Sequence, residues 1–306
     1  MTALIAKRSA TIGFVAWLLL LLTTTADSAP IELIHKIVFF AILVIVPLGL
    51  SLVASSDRKY NLLVLIQPIA ALLTIASFFL DKGVASAALS SSWLLLTGLV
   101  AVYGVTRLIT RGGPRPLPEL SIDAGLLYLP VGGVWLVIYR LGEQPFGYGK
   151  IIILLTVVHF HFAGFATPII AGMNGRILAS TKFPKRIYAF AVFGSVAAMP
   201  LIAAGITFNP LLGLIGALLL TVALVLLALL TIFWVRPAIS GPAKQTLLVF
   251  GALASCSAMV LASLYAYSIA SHTLILTIPT MAMTHGILNA FGFVTCSLFV
   301  WSRIEW

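Results

Sequence analysis

Long apolar runs, separated by short polar turns, set the pattern of this chain. Ten of them lie near residues 11–25, 33–53, 62–80, 86–108, 122–139, 151–173, 187–208, 211–235, 245–269 and 274–301. At about 1.5 Å per helical residue they suit a hydrocarbon layer about 30 Å thick. Turn signals mark the breaks: Asp57-Arg58-Lys59, Gly112-Gly113-Pro114, Asn209-Pro210 and Gly241-Pro242. Lipid leaves no partner for open backbone groups, so spanning segments of this kind are helical. The pattern predicts an all-α, polytopic transmembrane bundle of about ten helices. Residues 1–306 read as a single integral-membrane domain, and the stretches between runs are too short for a soluble one.

Composition narrows the class further. Hydrophobic residues make up 61% of the 306 and charged residues only 8%, against about 25% in ordinary soluble domains. That excludes a soluble enzyme, a disordered chain and a coiled coil. The formal net charge is +10, which in a lipid-spanning chain reflects loop charges that orient helices and implies no nucleic acid partner. With the N-terminus inside, Lys36, Lys82, Arg140 and Lys150 fall outside and the other fourteen Lys and Arg fall inside. This split predicts ten spans with both termini cytoplasmic. Trp135, Trp234 and Trp301 lie near span ends, as interfacial aromatics do.

The first run has a second reading. Lys7 and Arg8 precede an apolar stretch that ends near Thr24 and Ala26, so 1–26 also fits a cleavable signal, which would leave nine spans. Cleavage after Ala29 would place Pro30 next and Asp27 at minus three, both unfavourable, and a retained helix is the expectation. Cys256 and Cys296 sit inside apolar runs and read as small buried hydrophobes. No internal repeat is visible, although five plus five helices would permit an inverted one.

Ionisable residues at membrane depth are expensive and mark candidate sites. Here they are His159, His161, His285 and the shallower Asp123, with Gln67, Tyr128, Asn174 and Asn289 as neutral company. His159 and His285 lie about nine and eleven residues into the sixth and tenth spans, near the midplane on two helices of the same direction. His159 and His161 point about 200° apart on a regular helix. One is therefore expected to face a cavity and the other to bond a neighbouring helix. Pro168 is expected to kink the sixth span one turn below them. His285 and Asn289 share a face, and Gly286 with Ala290 forms a small-residue strip for close packing. Ser121 and Asp123 suit a helix start. The pairs Glu32 with His35, and Arg140 with Glu143, are expected among outer headgroups, and His272 in a solvated loop. Against all of these stands the plainer reading of a buried histidine as a satisfied structural group.

The stretch His-Phe-His-Phe-Ala-Gly-Phe at 159–165, together with His-Gly-x-x-Asn-Ala-x-Gly-Phe at 285–293, resembles the YndJ-like family of bacterial membrane proteins. The likeness rests on the sixth and tenth spans. It implies a multi-pass membrane protein in which these His and Asn positions are central, and a bacterial inner-membrane location. It implies no reaction, and a transporter role enters only as a loose expectation.

Two classes stay open. In the first, the chain is a membrane enzyme for a lipophilic small molecule, isoprenoid-like or polyketide-like. His159, His161, His285 and Asn289 supply acid/base chemistry for isomerisation, cyclisation or epoxide opening. Tyr128, Asp123, Phe160 and Phe293 contact the substrate. In the second, ten short-looped helices carry a neutral or hydrophobic molecule, with His moving a coupling proton. The clustered imidazoles and the charge-poor interior favour chemistry. No Walker motif, GxGxxG, CxxC, GxSxG or Asp-rich magnesium pair occurs. The residues call for no cofactor, and a metal held by His159 and His285 lacks a carboxylate at that depth.

Overall fold

The structure, a computed structural model, describes residues 2–24, 28–53 and 57–304. Among these, ten helices are long and apolar enough to cross a membrane. They are α1 (Thr2–Leu20), α2 (Pro30–Leu52), α3 (Arg58–Ser77), α4 (Val84–Thr110), α5 (Leu117–Leu141), α6 (Lys150–Leu178), α7 (Lys185–Thr207), α8 (Pro210–Ala238), α9 (Pro242–Ala270) and α10 (Ile278–Ser302). Each apolar run becomes one helix, and no strand occurs among the described residues. The chain is an all-α, multi-pass membrane protein.

The helix starts follow their capping chemistry. Asp57 and Asn209 accept backbone N–H groups of Lys59 and Leu211 at the heads of α3 and α8, both at 2.9 Å. α10 begins at Ile278 rather than 274, because Pro279 takes the first turn, where its missing N–H costs nothing. α1 already begins at Thr2 and runs through Lys7 and Arg8. The alternative cleavage point at Ala26 and Asp27 lies outside the described residues.

Proline shapes the interior of three spans in one way. α2, α6 and α8 contain π-helical segments at Ala41–Ile45, Phe160–Ala166 and Thr231–Val235. Each ends two residues before a proline: Pro47, Pro168 and Pro237. A proline ring strikes the carbonyl four residues back and offers no N–H to it. The wider π turn absorbs that mismatch. At Pro168 the expected kink is therefore a spread-out π-helical stretch. α10 is also π-helical, over Ala282–Gly286 and Leu288–Thr295.

The helices group into two compact units. The first holds Met1–Gly113 and Asp123–Ala166, that is α1 to α4 with most of α5 and the first part of α6. Its centre is α2, which is buried on nearly all sides. α1 comes so close to α2 that a Cβ on Gly13 would strike the Leu43 carbonyl. The second unit holds Pro114–Ile122 and Thr167–Ile304, with α7 to α10. There Gly292 lets α10 approach α9, since a Cβ would lie 2.6 Å from that of Ala254. Trp301, in the last turn of α10, is fully buried in this unit.

Arg140 and His35 of the first unit correct the headgroup expectation, and Lys36 is buried with them. Lys36 is buried and its Nζ donates to the carbonyls of Leu20 (2.8 Å) and Thr23 (2.5 Å), and lies 2.8 Å from Glu32. It satisfies the open end of α1. Arg140 is 2% exposed and donates to the carbonyls of Ser77 and Leu80, both at 2.6 Å, at the open end of α3. Its own carbonyl accepts from Gly83 N–H and Ser86 Oγ at the start of α4. Helix ends leave carbonyls without donors, and in a low-dielectric setting a cation is a strong substitute. His35 is likewise fully buried, with Nε2 2.8 Å from the Tyr139 hydroxyl.

Candidate functional site

The two histidines of α6 separate by role. His161 is fully buried, and the Trp93 indole N–H donates to its Nε2 at 2.9 Å. An indole nitrogen only donates, so Nε2 is an acceptor and Nδ1 carries the proton. Nδ1–H then donates to the Val157 carbonyl at 2.7 Å. The rings of Trp93 and His161 stack 6.0 Å apart. Gly132 of α5 lies against the imidazole, where a Cβ would sit 2.6 Å from Nδ1. His161 is thus the histidine that bonds neighbouring helices, α4 through Trp93 and α5 through Gly132. His159 has an exposed side chain on α6 with Nδ1 2.6 Å from the Leu155 carbonyl.

Tyr128 and Phe160 pack edge to face with centroids 6.0 Å apart, and Gly164 opens the space for Tyr128. Asp123 is fully buried and holds two arginines of α4: Arg107 Nε at 3.3 Å and Arg111 Nη2 at 2.5 Å. The capping reading of Asp123 and Ser121 is corrected, because α5 begins at Leu117, a full turn earlier. Ser121 instead donates to the Pro168 carbonyl at 2.7 Å.

In the second unit α10 presents a dyad. His285 Nδ1 lies 2.8 Å from the Ala258 carbonyl of α9, and Asn289 Nδ2 lies 3.3 Å from His285 Nε2. A carbonyl only accepts, so Nδ1 carries the proton and Nε2 offers a lone pair toward Asn289. Both side chains are half-buried. The close approach of α9 and α10 that places Ala258 within reach comes from Gly292. Gly286 makes no tight contact, so the expected Gly286 strip is corrected. Phe293 is buried one helical stretch further on.

The structure therefore joins His285 to Asn289, Tyr128 to Phe160, and His161 to Trp93. Sequence reasoning missed Trp93 as the partner of His161, and also missed the buried roles of His35, Lys36 and Arg140. One available signal was the second run itself: a helix apolar all round is buried all round, so its polar residues are interior ones. Among the described residues no three His, Cys, Asp or Glu side chains gather as metal ligands.

Comparison with known proteins agrees with the two motifs. A family described as YndJ-like protein matches residues 36–293. The uncharacterized membrane protein YndJ of Bacillus subtilis (strain 168) is 29% identical over 303 residues, covering 96% of this chain and 53% of that protein. The chain thus spans about half the length of this curated relative. No solved structure matches.

Proposed function

The chain belongs to the YndJ-like family of membrane proteins, and we propose that it is a membrane-embedded acid/base enzyme for a lipophilic small molecule. The observation that supports this reading is the fixed ring of His285. Its Nδ1–H is committed to the Ala258 carbonyl, so Nε2 is a ready proton acceptor with the Asn289 amide beside it. Such an orienting bond behind a base is the arrangement that general-base catalysis uses. A one-base isomerisation balances without a cofactor. Nε2 takes a proton from one carbon of the substrate and returns it at another, while Asn289 donates to a substrate oxygen. Cyclisation and epoxide opening would need a second group for the leaving or arriving proton, so the one-base isomerisation is the reaction this dyad supports best. The bacterial inner membrane, with both termini cytoplasmic, is the proposed location.

A second reading, transport of a neutral or hydrophobic molecule, draws support from the π-helical segments in four spans. Broken helical regularity recurs where carriers bind their cargo. One experiment separates the two. The gene is deleted in its host, and cells and medium are analysed separately by mass spectrometry, with rescue by wild type and by His285→Ala. An isomer or mass-shifted precursor, cleared only by wild type, supports the enzyme. An unchanged compound that shifts between cells and medium sinks it and supports the carrier.

A further inference from the structure

We propose that a small monovalent cation, of about sodium's size, binds in a small cavity of the second unit. The cavity has a volume of about 10 Å³ and is walled by α6, α8, α9 and α10. That is the room for one water-sized sphere. Its polar lining is entirely oxygen-bearing and uncharged: Asn174, Thr231, Ser255 and Ser297. All four are buried.

Two of these residues have an oxygen that the protein does not use. Asn174 Oδ1 and Ser255 Oγ are buried without a hydrogen-bond partner. Buried polar atoms in native structures are nearly always satisfied, so two around one cavity point to a ligand. Two of the hydrogens nearby are committed elsewhere. Thr231 Oγ–H donates to the Leu227 carbonyl at 2.7 Å, and Asn174 Nδ2–H donates to Thr231 Oγ at 2.7 Å. This chain fixes the Asn174 amide, so its carbonyl oxygen is the atom left over. The occupant is offered the lone pairs of Asn174 Oδ1 and Ser255 Oγ.

The chemistry of the lining selects the class of ion. Hard oxygen donors suit alkali and alkaline-earth cations rather than soft metals. No Asp or Glu lines the cavity, so a divalent ion would lack charge balance and a monovalent one is favoured. The volume favours a small one. Thr231 opens a π-helical segment of α8 and Phe293 lies in one of α10, so two of the walls are the irregular backbone often found at binding sites.

This goes beyond the His285 reading and is tested without any substrate. The full chain is placed in lipid nanodiscs and melted in sodium chloride or choline chloride at equal ionic strength. Sodium should raise the Tm saturably, and choline should not. Ser255→Ala removes only an unpartnered hydroxyl, so it should melt normally in choline while its apparent sodium affinity falls by about tenfold or more. Thr231→Val, which keeps the side chain's shape, should also weaken the response. Equal melting in the two salts means a buried water only and overturns the proposal. A sodium response that both variants retain places the ion elsewhere and overturns it as well.

Discussion

Trp93 of α4 and His161 of α6 form one stacked, hydrogen-bonded pair, with the indole N–H 2.9 Å from Nε2. Both residues are fully buried. The pair fixes the tautomer of a histidine that lies beside an exposed one, and so decides which of the two is available. His161 is a bolt between helices, and Gly132 is the space it turns in.

Trp93→Phe keeps most of the ring but removes the donor. It leaves Nε2 buried and unmatched, which costs about 1–3 kcal/mol. Gly132→Ala forces a methyl group into the imidazole and should cost at least as much. Both should lower the Tm of the protein in nanodiscs, while His159→Ala, at an exposed side chain, should leave it nearly unchanged. A Trp93→Phe protein that melts like wild type would contradict the role given to this bond.

The buried triad of Asp123 with Arg107 and Arg111 makes a second prediction. Removing one member of a buried ion pair strands the others and costs about 3–5 kcal/mol. Asp123→Asn should therefore be strongly destabilising, more so than Glu119→Gln. Glu119 also pairs with an arginine, Arg176 at 2.7 Å, but both side chains keep some exposure. Paired melting curves of the two variants check the order, and equal losses would show that Asp123 is not specially buried in the membrane.

Much of this architecture was legible in advance, for a simple reason. The bilayer imposes length and polarity on every span, so the apolar runs gave the helix number and Asn209-Pro210 gave a helix start. What lay hidden was which charges go inside. Lys36 and Arg140 look like loop charges because they lie at run ends. Only the packing shows that they reach the carbonyls of α1 and α3. The pairing of His285 with Asn289 was legible from their four-residue spacing. Trp93 was not, since nothing local ties residue 93 to residue 161. Nor does the sequence mark Asp123 as an ion-pair partner, because Arg107 and Arg111 have the spacing of ordinary inside-loop charges.

Arg140 anchors the turn between α3 and α4 from a distance in sequence, through both its side chain and its carbonyl. Arg140→Met keeps the stem and removes the donors. It leaves two helix-end carbonyls unmatched and should cost about 2–4 kcal/mol. Arg140→Lys retains charge but not the planar Nη2 group whose two hydrogens reach both carbonyls, so it should recover only part of the loss. Hydrogen exchange localised to 77–86 should rise in Arg140→Met. Unchanged protection there would mean that the guanidinium does not hold the turn.

The final prediction concerns the dyad of α10. If His285 Nε2 is the base, its removal should lower turnover by about 10²–10⁴-fold without preventing insertion. His285 is half-buried and its bonds are to Ala258 and the half-buried Asn289, so His285→Ala should cost little stability beside Trp93→Phe. Asn289 acts through the substrate oxygen and the ring it touches. Asn289→Ala should therefore reduce turnover less than His285→Ala, and the double variant should be no worse than His285→Ala alone. That non-additivity is what two groups working as a unit give. The readout is the host metabolite restored by each rescue allele, normalised to membrane protein level. Full rescue by His285→Ala would remove the α10 dyad from the chemistry and leave its bond to Ala258 as a packing contact between two helices.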